Sequence, residues 1–188
     1  EIKELFANKE KLNALVSIEQ ELISFQSKKE RPYFLWHLFF ADVLDDGGFD
    51  IVIGNPPYIK EYANKKAFDG FRESKYYKGK MDLWYGFASL GLDILKDKGT
   101  ECFIAQSNWI TSAGASILRN DILQRTEIKQ FVDFGDYKVF QSAGIQTMIY
   151  LLKKETEPSE NYKIYYAGLS ESNITKNQLQ NFLNKNIT

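Results

Sequence analysis

A six-residue apolar run followed by two prolines constrains the fold of this chain more than any other feature of its sequence. The run Phe49–Gly54 is rich in β-branched residues and lies between Gly47-Gly48 and Pro56-Pro57. Short apolar runs with such boundaries are typical of strands that are buried on both faces. We therefore predict a buried strand over Phe49–Gly54 that ends before the prolines.

Patterns of helices and strands alternate after this run. Helices are predicted over residues 82–96, 113–124 and from 176 onward, and strands over residues 101–106, 128–134, 146–153 and 162–166. Strands that alternate with helices favour an α/β sheet. Asp82 stands at the start of the first of these helices and is interpreted as its N-cap.

The N-terminal residues differ from the rest of the chain. Residues 1–30 place apolar side chains among charges at helical spacing, which predicts one or two amphipathic helices. The aromatic run over residues 33–40 is predicted to be a buried strand or the approach to one. His37 within this run is interpreted as a core histidine rather than as a base.

The tetrapeptide Asn55-Pro56-Pro57-Tyr58 falls where the predicted strand leaves the sheet, and ligands of open α/β sheets bind outside the carboxyl ends of strands. An amine conjugated to an aromatic ring is a poor nucleophile because its lone pair is delocalised. The amide oxygen of Asn55 and the carbonyl of Pro56 could accept its two N–H groups and localise that lone pair. The prolines hold the carbonyl in one direction, and Tyr58 offers a flat face to a base. The alternative is a rigid turn.

This chain resembles the adenine-N6 DNA methyltransferases of restriction-modification systems, especially the fused endonuclease–methyltransferases called type IIG. The similarity extends over about residues 33–153 and follows the order of that family's motifs. Its parts are Trp36 to Leu44, Gly47 to Asp50, Ile53 to Tyr58, Lys78 to Trp84, Gly99 to Trp109, Asp133 to Asp136 and Val139-Phe140. The resemblance implies a Rossmann-like methyltransferase sheet that acts on double-stranded DNA and uses S-adenosylmethionine.

The resemblance also implies roles for individual residues at the target base. Asn55, Pro56, Pro57 and Tyr58 would be the catalytic residues, and Asn55 at the first position favours adenine over cytosine N4. Tyr58 and Phe140 would stack on the two faces of an adenine that is flipped out of the duplex. Flipping costs a few kcal/mol, and stacking recovers about 1–3 kcal/mol per base.

Only part of a cofactor site is expected in this chain. The resemblance implies that Asp42 accepts a hydrogen bond from the adenine amino group of S-adenosylmethionine and that Asn55 also faces this cofactor. The family's glycine-rich cofactor loop should lie upstream of the catalytic motif, yet no Gly-x-Gly pattern precedes residue 47. We therefore interpret the chain as a fragment of a partial Rossmann-like fold and expect it to be inactive in isolation. Its predicted segments are a helical segment (1–32), the catalytic-motif half of a methyltransferase domain (33–154), and a linker with the start of a target-recognition region (155–188).

A cationic segment over residues 60–80 contains seven Lys or Arg against three Asp or Glu, a net charge of +4, although the whole chain has a net charge of −1. Five aromatic residues are interleaved with these charges. This mixture suits phosphates and unstacked bases. It predicts Lys60, Lys65 and Lys66 as DNA contacts, and the alternative is a solvated loop anchored by aromatic rings.

Composition bears on several other functional classes. No apolar run approaches the roughly 20 residues of a membrane span, so no membrane partner and a cytoplasmic location are expected. One cysteine and one histidine cannot furnish an internal disulfide or a usual zinc site, and no metal is predicted. A nicotinamide-dependent oxidoreductase is disfavoured because the dinucleotide loop is missing. Methylation of RNA adenine or protein glutamine, a noncatalytic binding or assembly role, a fused nuclease and the oligomeric state stay open.

Overall fold

The computed structural model describes residues 2–26, 34–140 and 144–186. The chain forms two compact units, Glu1–Ala41 and Asp42–Thr188. These units are defined by contacts within the structure, whereas the three segments predicted from the sequence are defined by function. The three functional segments remain a prediction. Among the described residues, no helix combines the length and the apolar character that crossing a bilayer requires.

The N-terminal unit contains two helices, α1 (Ile2–Gln26) and α2 (Trp36–Phe39). Helix α1 confirms the helical prediction, and it exposes several apolar side chains, among them Leu15 at 63%. The prediction of a buried strand in the aromatic run is wrong for residues 34–40, and Tyr33 lies outside the described residues. The rings of Trp36 and Phe40 stack at 5.8 Å, because positions four apart meet on one side of a helical turn. His37 is exposed, which also corrects its prediction as a core residue.

The remaining regular elements form an α/β unit. Its helices are α3 (Ala41–Asp45), α4 (Trp84–Ile94), α5 (Ser116–Arg125) and α6 (Lys176–Asn186), and its strands are β1 (Phe49–Gly54), β2 (Leu95–Gln106), β3 (Thr126–Asp133), β4 (Thr147–Lys154) and β5 (Tyr165–Gly168). Single 3-10 turns cover Lys65–Phe68, Phe71–Glu73, Ser107–Ile110 and Ala113–Ala115. The α/β fold class predicted from the alternating patterns is confirmed.

The five strands lie in the order β1-β2-β4-β3-β5. β1 runs parallel to β2, and β5 runs parallel to β3. β4 lies antiparallel between β2 and β3. Because β5 joins this sheet, part of the polar C-terminal segment contributes a strand to the same unit as the catalytic motif.

The core lies around α4, β2 and β4. Trp84, Leu92, Tyr150 and Leu152 are fully buried there. The ring of Trp84 lies 6.2 Å from that of Trp109 in a T-shaped arrangement, which aromatic pairs prefer over a face-to-face stack. The centre of the sheet is therefore closed on the side of α4.

Strand β1 differs from its prediction. It was expected to be buried on both faces, but Ile51 and Ile53 are 66% and 78% exposed. The two side chains project from the same face of β1, and that face is not covered among the described residues. Within the same residues β1 pairs with β2 alone and lies at the edge of the sheet. A sequence typical of the middle of a sheet thus occupies an open edge.

The boundary between α4 and β2 also differs from the prediction. The helix predicted over residues 82–96 ends at Ile94, and Leu95 already pairs with Phe49 of β1. The register then shifts so that Ile51 pairs with Thr100. Local helical spacing could not indicate this boundary, because it is set by pairing with a strand more than forty residues away.

Candidate active site

The motif Asn55-Pro56-Pro57-Tyr58 begins where β1 ends. β1 and β2 are parallel, so their carboxyl ends emerge at the same edge of the sheet. Gly54 packs so closely on β2 that a Cβ at this position would lie 3.0 Å from the ring of Phe103. Pro56 is buried, whereas Asn55 is exposed. The amide of Asn55 is therefore accessible beside a backbone fixed by proline.

Tyr58 fastens the motif to the neighbouring strand. Its hydroxyl donates to the carbonyl of Ile104 on β2 at 2.9 Å and lies 3.3 Å from the Oδ1 atom of Asn55. Burial, with a smaller contribution from the charge of Asp82, raises the pKa of Tyr58 to about 12. The hydroxyl consequently stays protonated at neutral pH and remains a donor. Because an amide oxygen has two lone pairs, Asn55 keeps capacity for a further donor.

The backbone of the motif presents a second acceptor. Among the described residues, no hydrogen bond is formed by the carbonyl of Pro56, whereas the carbonyl of Pro57 accepts from the amide of Ile59 at 3.2 Å. Asn55 and Pro56 therefore offer one side-chain oxygen and one backbone oxygen from adjacent positions. This pair can accept both N–H groups of one amine.

The cationic segment folds back onto the end of the motif. The amide of Glu61 donates to the carbonyl of Met81 at 3.0 Å, and that of Leu83 donates to Ile59 at 2.8 Å. Lys60 and Asp82 face each other in this short antiparallel bridge. The bridge brings a buried carboxylate, that of Asp82, close to the catalytic motif.

Glu61 organises the cationic segment from within. Its carboxylate accepts from the hydroxyl of Tyr77 at 2.6 Å, from Arg72 at 3.2 Å and from the amide of Lys80 at 2.9 Å. These bonds, that of Tyr77 foremost, hold the pKa of Glu61 below its usual value. Arg72 also binds Asp69. The charge that remains accessible is thus mainly that of lysines, and Lys65 and Lys66 are both exposed.

A cavity of about 500 Å³ opens between this segment and the carboxyl end of β2. Its polar lining includes Asp82, Gln106, Asn108 and Ser112, together with lysines of the cationic segment. Gly114 packs closely against the backbone of Lys80 in the wall of this cavity. A Cβ at position 114 would lie only 2.4 Å from the carbonyl oxygen of Lys80. Gln106, Asn108 and Ser112 were not predicted as site residues. The signal that could have indicated them is a run of polar residues at the carboxyl end of a strand.

Asp82 is only 3% exposed. Burial raises its pKa, while the backbone amides of Trp84, Ile59 and Leu83 and the charge of Lys60 partly oppose that rise. Neither carboxylate oxygen has a hydrogen bond of good geometry within the described part of the chain. Leu83 already has helical backbone angles, φ −60° and ψ −32°, so Asp82 directly precedes the first helical residue. The N-cap role of Asp82 stays a prediction.

The two other predicted site residues lie in separate places. Phe140 is half-buried and stands directly before residues 141–143, which lie outside the described part. Asp42 is exposed in the first turn of α3. No ring contact between Tyr58 and Phe140, and no hydrogen bond between Asp42 and Asn55, occurs among the described residues. Their roles at the target base and the cofactor stay predictions. No cluster of His, Cys, Asp and Glu suited to a metal ion occurs in the same ranges.

The fold is shared with a known class of enzymes. A Listeria monocytogenes protein described as a class I S-adenosylmethionine-dependent methyltransferase superposes with a TM-score of 0.51 and 17% identity, over 73% of this chain and 42% of that chain. The sheet is therefore that of a class I methyltransferase fold, as the resemblance implied.

The chain belongs to the Eco57I restriction-modification methylase family, whose model matches residues 2–140. It is 28% identical over 122 residues to the type II restriction enzyme and methyltransferase RM.Eco57I of Escherichia coli, and 26% identical over 135 residues to the type II methyltransferase M.BanIII of Aneurinibacillus aneurinilyticus. These alignments cover 62% and 68% of this chain but only 12% and 23% of the relatives. The family resemblance identified from the sequence is thus confirmed.

Proposed function

We propose that this chain carries the target-base half of a restriction-modification enzyme that transfers a methyl group from S-adenosylmethionine to N6 of adenine in DNA. One observation carries the proposal. At the carboxyl end of a parallel strand, Asn55 presents an exposed amide oxygen and Pro56 a carbonyl without a hydrogen bond among the described residues, and Tyr58 fastens the motif to the neighbouring strand. Family membership favours DNA as the substrate over RNA adenine or protein glutamine.

The acceptors would act on the nucleophile. The Oδ1 atom of Asn55 and the carbonyl of Pro56 accept the two N–H groups of the adenine amine and localise its lone pair on nitrogen. S-adenosylmethionine, when bound, supplies a methyl group on a positively charged sulfur. The lone pair that Asn55 and Pro56 localise would take up this methyl group with loss of the S–C bond, and one amine proton would leave to solvent. Tyr58 and Phe140 would hold the base between two aromatic faces, and stacking of this kind is worth about 1–3 kcal/mol per base.

The residues of this chain fit only part of the cofactor. Asn55 is accessible to it, and Asp42 is an exposed carboxylate that could accept from its adenine. Among the described residues, the outer edge of β1 is open to pairing with further strands, and Ile51 and Ile53 are exposed on a face that the helices between such strands could cover. The curated relatives are also several times longer than the matched region. We infer that the glycine-rich half of the cofactor site lies on strands that dock against β1.

Methyl transfer by the full-length enzyme tests this function. Asn55→Ala is expected to lower the rate by about 10²–10³, the usual loss for one group that stabilises a transition state. Asn173→Ala, which changes an exposed asparagine outside the site, should leave the rate unchanged. The product, identified by mass spectrometry of the digested DNA, should be N6-methyladenine. A full rate in Asn55→Ala, or N4-methylcytosine as the product, would contradict the proposal.

The isolated chain provides a separate test of the half-site. It should bind S-adenosylmethionine weakly in calorimetry and methylate DNA little, and addition of the upstream portion of the protein should restore both. Normal turnover by the chain alone would show that the cofactor site is complete.

A further inference from the structure

The cavity beside the motif has the size and character of a ligand site. Its volume of about 500 Å³ lies within the roughly 300–1,000 Å³ that is usual for small-molecule sites. The four catalytic-motif residues do not line it, although Lys60 follows Tyr58 by two positions. The cavity therefore lies beside the acceptors of Asn55 and Pro56 rather than at them.

Hydrogen-bond acceptors without well-placed donors lie in the wall of the cavity. Asp82 and Gln106 are each 3% exposed. Both carboxylate oxygens of Asp82 and the Oε1 atom of Gln106 lack a hydrogen bond of good geometry among the described residues. Buried acceptors are nearly always paired in folded proteins. These three oxygens consequently call for a ligand that donates, such as an amino group on a flat ring.

The mouth of the cavity has the opposite character. Lys60, Lys65 and Lys80 line it, and Lys65 and Lys80 are exposed. Tyr62, which is 81% exposed, adds an aromatic face. Lysines beside an aromatic ring suit a phosphate linked to a base. The acceptors inside the cavity suit a base with an exocyclic amine, and the lysines at its mouth suit a phosphate. Together they match a nucleotide whose base bears such an amine.

We propose that this cavity is a second nucleotide subsite, which holds an amine-bearing base of the DNA next to the adenine that is methylated. The base would donate its amino hydrogens to Asp82 and Gln106, and its phosphate would lie on Lys60, Lys65 and Lys80. That the bound nucleotide belongs to DNA rests on the proposed function. The binding of a nucleotide in this cavity can be tested separately, without methyl transfer.

Titration of the whole chain with adenosine monophosphate, followed by amide chemical shifts in NMR, tests the subsite. Purine riboside monophosphate is the matched probe, because it has the same sugar, phosphate and ring but lacks the exocyclic amine. We expect adenosine monophosphate to bind about tenfold more tightly or better, with shifts centred on Gln106 and Asn108. Equal affinity for both probes, no response, or shifts centred on Asp42 would overturn the proposal.

Two substitutions sharpen the test. Asp82→Asn keeps the shape of the side chain but replaces one acceptor oxygen with a donor, so the preference for adenosine monophosphate over the probe without the amine should be lost. Lys65→Ala should weaken both probes, whereas Lys163→Ala, an exposed lysine outside the cavity, should weaken neither. If Asp82→Asn does not fold, an equal loss in the two lysine variants overturns the assignment.

The catalytic variant separates this inference from the proposed function. Asn55→Ala should lose methyl transfer in the full-length enzyme and still bind adenosine monophosphate as the parent chain does. Loss of that binding in Asn55→Ala would place the nucleotide at the catalytic motif and remove the second subsite.

Discussion

The centre of the sheet and its β1 edge carry similar apolar sequences in very different surroundings. At the centre, Tyr150 of β4 is fully buried, and its hydroxyl donates to the buried carboxyl of Glu101 at 2.8 Å. At the edge, Ile53 of β1 is 78% exposed only two residues before Asn55. The buried packing that stabilises this unit therefore lies mainly in β2, β4 and α4. The catalytic motif follows a strand that contributes no buried side chain to the core.

Truncation of one apolar side chain in each region gives the largest contrast. Trp84→Ala empties the space between α4 and the sheet and should lower the free energy of unfolding by about 3–5 kcal/mol. Ile53→Ala removes an exposed side chain and should change it by less than about 0.5 kcal/mol. Urea denaturation followed by circular dichroism measures both. Similar losses in the two variants would mean that the edge of β1 is covered in solution.

The pH dependence of stability tests the closed centre alone. Burial raises the pKa of Glu101 from 4.5 to about 8, although the hydrogen bond from Tyr150 opposes that rise. Between these values the folded chain keeps a proton that the unfolded chain has released. The free energy of unfolding should therefore fall as the pH rises through this window, by up to about 1.4 kcal/mol per pH unit.

Glu101→Gln keeps a neutral side chain of the same shape and should flatten that slope. Glu157→Gln, at an exposed position, is the matched control and should retain it. Denaturation series at several pH values measure the slopes. A steep slope that persists in Glu101→Gln would assign the effect to another group.

The smallest effect is expected at the exposed lysines of the open region. Lys65→Glu with Lys66→Glu should flatten the dependence of DNA affinity on salt in the full-length enzyme, by about 0.9 in log–log slope for each phosphate that the protein no longer neutralises. Lys163→Glu reverses one exposed charge outside the segment and should leave the slope as it is. An unchanged slope in the double variant would reduce the cationic segment to a solvated loop.

Much of this fold could be predicted from local pattern. The alternation of strands and helices, the helix near the N-terminus and the end of β1 at Gly54 all follow from spacing and from the prolines. The aromatic run over residues 34–40 misled the prediction, because rings suit both a buried strand and one turn of helix. The boundary at Leu95 could not be predicted from local pattern, since its partner is Phe49.

The sequence by itself determined the family and the position of the catalytic motif, because Asn55-Pro56-Pro57-Tyr58 is contiguous and its stiffness is local. It could not place Asp82 beside that motif or Gln106 in the same cavity wall. Those neighbours come from different segments and meet only through the Lys60–Asp82 bridge and the parallel pairing of β1 with β2. The openness of β1 was likewise decided by tertiary structure, since the burial of a strand depends on what pairs with it and covers it.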